Sequence, residues 1–326
     1  MKKYLNISLS SSQEKRLFYA VKIVFLVAIF SLLFIQISKI NFESERFSAI
    51  FLSAYSKLYL LIIGVLLIIP NYFFESIRWK FLTEDIQPRN LPQAFKDILL
   101  GLMGGLFTPF MIGDYIGRSL RFPIRKRKAI VVANVFGSIC QTYSALFFGT
   151  LSLIFWKYSD IGHFPKIMNY LGGSLLLSCI FGIFVLFANE KLRITFSKFS
   201  AFLFINQYLI HYENISIQTR IWVLFFTLCR SLIYILQFLA IYSAFGMELS
   251  ILHLFIGVNL SLLAKTVGGG LNVFGDLSLR QLVGLYFFIP FAVSAEVIII
   301  STLFVWLINI FFPVLLGTLF IKNIKT

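Results

Sequence analysis

The chain has 326 residues, 59% of them hydrophobic and 13% charged, with a mean hydropathy of +0.87. Soluble domains run about 45–50% apolar and about 25% charged, so a conventional soluble enzyme domain is excluded. The formal net charge is +15, but the basic residues sit in short segments between apolar runs, which is the pattern of cytoplasmic loops and not of a nucleic-acid surface.

Apolar runs of 18 residues or more recur along the chain, and about 20 such residues cross a bilayer as a helix. Lipid cannot satisfy backbone N–H and C=O groups, so each run is expected to be helical. The predicted fold class is all-α: a polytopic integral membrane helix bundle of about eight spans, forming one domain over 1–326. The first helix is predicted over 17–37. It follows Lys2, Lys3, Lys15 and Arg16 but ends without a small-x-small cleavage site, so it reads as a retained span and not a signal peptide.

The second helix is predicted over 55–74. It runs on into a stretch where Arg78 and Trp79 suit an interface, and Pro70 bends it. A short apolar stretch over 98–112 comes next, broken by Gly101, Gly104, Gly105 and Pro109, with Gly113 directly after it. Residues 113–128 are strongly basic. Further helices are predicted over 129–156, 169–188, 221–245, 251–267 and 295–321. A second Gly-broken stretch covers 268–290.

Charge orients these elements. With the N-terminus in the cytoplasm, a full crossing at 98–112 would place Arg118, Arg121, Arg125, Lys126, Arg127 and Lys128 outside, against the positive-inside rule. A re-entrant hairpin avoids this, and 15 residues are short for a span. One or two such Gly-rich re-entrant segments are therefore expected. Both termini fall on the cytoplasmic side of the cell (inner) membrane, the C-terminus only if 277–290 crosses once.

The two Gly-broken stretches resemble each other. The first ends Gly113-Asp114-Tyr115-Ile116-Gly117-Arg118 and the second Gly275-Asp276-Leu277-Ser278-Leu279-Arg280, 162 residues later. Half the chain is 163 residues, so the pattern predicts a two-fold repeat with halves of about 1–163 and 164–326. Interrupted segments at matching places in two halves point to a transporter's binding site. A broken helix exposes amide N–H groups and a positive dipole end, here including the amides of Gly269 and Gly270, able to hold a phosphate. Arg118 and Arg280 each follow an aspartate by four residues, so each pair would be neighbours on a helix.

Arg230 is the sharpest single feature. It lies about 15 Å into its helix at 1.5 Å per residue, where an arginine must face the interior and find a partner. Tyr234 and Gln237 share its face, and Asp114, Asp276 or a lipid phosphate are its candidate partners. Asn134, Ser138 and Gln141 form a polar stripe, Lys265 is placed to snorkel, and Glu75 and Glu296 sit at predicted helix ends. Cys140, Cys179 and Cys229 lie in apolar runs without metal spacing, and His163, His211 and His253 are scattered. No metal site, nucleophile constellation or P-loop is expected, and no cofactor.

The Arg78-Trp79 pair, the segment Gly113 to Phe122 and the segment Gly268 to Leu282 together resemble the lysylphosphatidylglycerol synthase transmembrane-region family, also called the flippase-like domain family. The resemblance covers essentially the whole chain in length and helix order, with loose motifs. Where the family usually carries Arg-Glu late in the chain, this sequence has Arg280-Gln281. The sequence to Thr326 contains no aminoacyl-transferase domain, so the resemblance expected is to the stand-alone membrane members. The resemblance implies translocation of an anionic phospholipid or lipid-linked precursor, without catalytic residues. Asp114, Arg118, Arg121, Arg230, Tyr234, Gln237, Gly269, Gly270, Asp276 and Arg280 would be the substrate-binding set. Two alternatives stay open: a membrane-embedded head-group transferase using Asp114 or Asp276 as base, and an accessory subunit of a lipid or glycan synthase. The partners expected are the lipid itself and either a second copy or a synthase.

Overall fold

The computed structural model of the chain describes residues 44–106, 108, 111–159, 165–187, 212, 214–267 and 273–320. Two compact units divide it, 1–41 and 42–326; the predicted first helix falls in the first, outside the described residues.

Among the described residues the regular elements are all helices, and none is a strand. In chain order they are α1 (Ser44–Ser56), α2 (Leu58–Thr83), α3 (Leu91–Leu106), α4 (Ile112–Ser119), α5 (Ile124–Tyr158), α6 (Ile167–Leu186), α7 (Ile217–Ala244), α8 (Ile251–Val267), α9 (Val273–Phe288) and α10 (Ala295–Thr318). Five of these, α2, α5, α6, α7 and α10, are long and apolar enough to cross a membrane. Helix α6 turns Leu176, Leu177, Ile180, Phe181 and Phe184 outward, a surface suited to hydrocarbon.

One predicted boundary is corrected: the helix expected over 129–156 starts at Ile124, so Arg125 to Lys128 form the opening turns of α5, while α4 covers the first part of the basic segment 113–128. Helix α2 runs on through Arg78 and Trp79 to Thr83, and both side chains, at 2% and 0% exposure, are buried in the bundle. Proline 70 does perturb α2, which has a turn at Leu67. Having no N–H, Pro70 cannot close the helical bond to the carbonyl of Leu66.

Helices α3 and α4 form an antiparallel hairpin closed by glycine. A Cβ on Gly104 would lie 2.3 Å from the Gly113 carbonyl oxygen, and one on Gly117 would lie 2.4 Å from that of Leu100. Backbone meets backbone there, so no larger residue fits without moving an arm. At the tip, Thr108 donates its hydroxyl to the Gly104 carbonyl (3.1 Å) and accepts the Gly113 amide (2.7 Å). Met111 takes a left-handed φ of 52° to complete the turn. At the open end Arg121 donates to the Gln93 carbonyl, while Arg89 donates to the Arg121 carbonyl. The chain therefore enters and leaves the hairpin at one end.

Helices α8 and α9 make a second antiparallel pair. Gly257 is covered by the rings of Phe287 and Phe288, and at the other end of the pair Lys265 reaches Asp276 at 3.6 Å. Helix α7 packs antiparallel to α2. Lys57 bonds Glu248 beyond the end of α7, Gln237 meets Gly64, Arg230 meets Asn71, and Trp222 stacks on Phe81. The Lys57 hydrogen bond and charge hold the exposed Glu248 carboxyl below its usual range. Arg220 ties α6 to α7 through the carbonyls of Leu186, Tyr212 and Ile215.

Candidate functional site

A polar seam runs between α2, α4, α5, α7 and α10, and Glu75 is at its centre. Burial is nearly complete at 2% exposure, which makes a lone carboxylate costly unless cations answer it. Three arginines do. Arg78, one turn along α2, donates to Oε1 at 2.6 Å, and Arg118 from α4 donates to the same oxygen at 2.8 Å. Arg230 from α7 approaches Oε2 at 3.1 Å. Sequence reasoning placed Glu75 at a helix end; α2 extends past it, which corrects that reading.

Asp114 and Arg118 form the i, i+4 pair anticipated from their spacing, at 3.0 Å. Asn134 of α5 donates to the other oxygen of Asp114 at 2.9 Å. Ser138 accepts from Tyr115, whereas Gln141, the third member of the predicted stripe, is exposed.

Arg230 starts a directional chain of amides. Its Nε donates to Asn71, Asn71 to Asn309, Asn309 to Gln237, and Gln237 to the Gly64 carbonyl, each at 2.8 or 2.9 Å. Asn309 lies in a π-helical turn, Leu307–Phe311, a rare geometry often found at functional sites. Pro313 cannot donate to the Asn309 carbonyl, and the Tyr72 hydroxyl takes that place at 2.7 Å.

The second cluster lies on α8 and α9. Arg280 donates to both oxygens of Asp276, at 2.8 and 2.7 Å, and also to the hydroxyl of Tyr234 on α7. Tyr234 follows Arg230 by one helical turn, so α7 joins the clusters. Lys265 turns toward Asp276, which corrects the snorkelling expectation. Glu296, placed at an interface by the sequence, is 2% exposed at the start of α10.

Arg121 does not join the seam. With Arg89 it pairs to Asp97, at 3.1 and 3.2 Å, and Trp79 donates to the same carboxylate at 3.3 Å. Those bonds fasten the open end of the first hairpin to α2. Gly269 and Gly270 lie outside the described residues. Of the predicted set, then, Asp114, Arg118, Arg230, Tyr234, Gln237, Asp276 and Arg280 converge on one seam. Asn71 and Asn309 were missed, and Glu75 and Lys265 were noted but left out of the set. Asn71 and Asn309 are polar residues inside apolar runs, and that was the available signal.

Beside the seam is an apolar groove of about 520 Å³, lined by α2, α3 and α10 and including Ile68, Tyr72, Ser76, Phe95, Pro313 and Leu316. Tyr72 borders the groove and also bonds Asn309 of the amide chain. Among the described residues no group of three or more His, Cys, Asp or Glu is placed to hold a metal ion. No family model, curated protein or solved structure matches the chain.

Proposed function

We propose that this protein is a flippase-like translocator, moving an anionic phospholipid or lipid-linked precursor between leaflets of the cell membrane. The observation that carries the reading is the seam itself: buried arginines on two similar helical hairpins, linked through α7. Arginine grips phosphate oxygens bidentately. In this reading the head group travels along the seam, and an acyl chain rests in the apolar groove bordered by Tyr72.

A repeat supports the same reading. A shift of 162 residues carries α2 onto α7, α3 onto α8, α4 onto the start of α9 and α5 onto α10, within a few residues except at the start of α10. The same shift carries Asp114 to Asp276, Arg118 to Arg280 and Glu75 to Gln237. Because α2 and α7 run antiparallel, the halves read as inverted repeats, with α3–α4 and α8–α9 as re-entrant segments. Inverted repeats with broken helices at the midplane are the architecture of alternating access. The resemblance to the flippase-like domain family points the same way.

Neither carboxylate named for a transferase supports that alternative. Asp114 is engaged by Arg118 and Asn134, and Asp276 by Arg280 on both oxygens. The test is leaflet exchange of fluorescent phosphatidylglycerol in proteoliposomes, read by chemical quenching of the outer leaflet. Quenching beyond the outer-leaflet fraction is expected. A protein-free plateau for every anionic lipid contradicts the reading.

A further inference from the structure

The translocator reading, on which this inference rests, needs an anionic head group, and the charge of the seam indicates which kind. Among the described residues, the groups joined by ion pairs in the two clusters are Arg78, Arg118, Arg230, Lys265 and Arg280, against Glu75, Asp114 and Asp276. Five cations face three carboxylates, which leaves two positive charges in excess. Excess charge in a low-dielectric interior is costly until a counter-charge completes it.

The excess is not spread evenly. Arg78, Arg118 and Arg280 have side chains 8% exposed or less, and each has a carboxylate oxygen within 2.8 Å. Lys265 and Arg230 differ. Their side chains are 35% and 25% exposed, and their carboxylate contacts are the longest of the seam, 3.6 and 3.1 Å. Arg280 already holds both oxygens of Asp276, so Lys265 gets only a share. Lys265 and Arg230 are linked through the second cluster: Lys265 reaches Asp276, Arg280 joins Asp276 to the Tyr234 hydroxyl, and Tyr234 lies one turn after Arg230 on α7. Between their helices, the Tyr234 oxygen accepts from Arg280, which leaves its O–H as a donor.

We propose that Lys265 and Arg230, with the Tyr234 hydroxyl, form a phosphate subsite for a head group carrying two negative charges, a terminal phosphate monoester or a diphosphate. A singly charged phosphodiester would leave one positive charge uncompensated. A zwitterionic head would leave both.

The test is competitive retention of lipids by the purified full-length chain in detergent, read by native mass spectrometry. Phosphatidic acid, phosphatidylglycerol and phosphatidylcholine are compared at pH 8, where a phosphate monoester is nearly doubly ionised. Phosphatidic acid is expected to be retained about tenfold over phosphatidylglycerol, the effect of one further charged hydrogen bond. In Lys265→Gln, phosphatidic acid retention should fall to the level of phosphatidylglycerol on the same variant, and Lys265→Arg should restore the preference. Inorganic phosphate is added in parallel. If it displaces phosphatidic acid from wild type, the subsite also takes a soluble phosphate; if it does not, the lipid is the occupant. Equal retention of phosphatidic acid and phosphatidylglycerol by wild type, or a preference that survives Lys265→Gln, overturns the subsite while leaving anionic-lipid exchange standing. Loss of binding to every anionic lipid would remove the translocator reading as well.

Discussion

At Glu75 a single carboxylate answers three guanidinium groups in the interior. Removing one member of a buried ion set leaves its partners desolvated and unpaired, at a cost of about 3–5 kcal/mol. Glu75→Gln should therefore lower the unfolding temperature of the detergent-solubilised protein markedly. Asn309→Leu should cost about 1–3 kcal/mol for each amide left unpaired at Asn71 and Gln237. An unchanged melting temperature in both variants would show that the seam does not hold the bundle together. The arginines were legible in the sequence because a charge in an apolar run must be used. Their main partner, Glu75, was read only as a helix-end residue, because it stands where the apolar run gives way to polar residues. Those last turns of α2 are buried by α3, α4 and α7.

In the first hairpin, glycine determines how closely the arms approach. Gly113→Ala places a methyl 2.1 Å from the Gly104 carbonyl oxygen, and overpacking of that kind costs about 1–3 kcal/mol. Gly173 on α6 is the matched control. A Cβ there meets nothing within 4 Å, so Gly173→Ala should stabilise by up to about 1 kcal/mol through helix propensity. Thermal unfolding of the two variants should move in opposite directions; a fall in both would argue against the tight hairpin. Sequence reading found the short Gly-broken stretch and its length mismatch with a span. It started the next helix at Ala129 and not at Ile124, because the basic opening turns carry no apolar signal. Packing settles that start, with Arg127 donating to the Leu120 and Phe122 carbonyls.

For the molecule as a whole, the inverted-repeat reading places the α2–α3 and α4–α5 connections on one side of the membrane and the α7–α8 connection on the other. Cysteines introduced at Glu84 and Glu248, in a background lacking Cys140, Cys179 and Cys229, should label from opposite sides with an impermeant maleimide. Labelling from one side would reject the inverted arrangement. The all-helical class was readable because hydropathy and length constrain spans strongly. The packing of α7 on α2 was not, since contacts such as Arg230 with Asn71 link residues 159 positions apart. Translocation is tested by leaflet exchange of fluorescent phosphatidylglycerol in proteoliposomes, with wild type set beside Arg230→Leu at matched reconstitution. The wild-type protein should expose inner-leaflet lipid to the quencher, and Arg230→Leu should slow exchange at least about tenfold, the loss of one charged contact to phosphate, while staying folded. Equal exchange by the two proteins would contradict a translocation path built on the arginine seam.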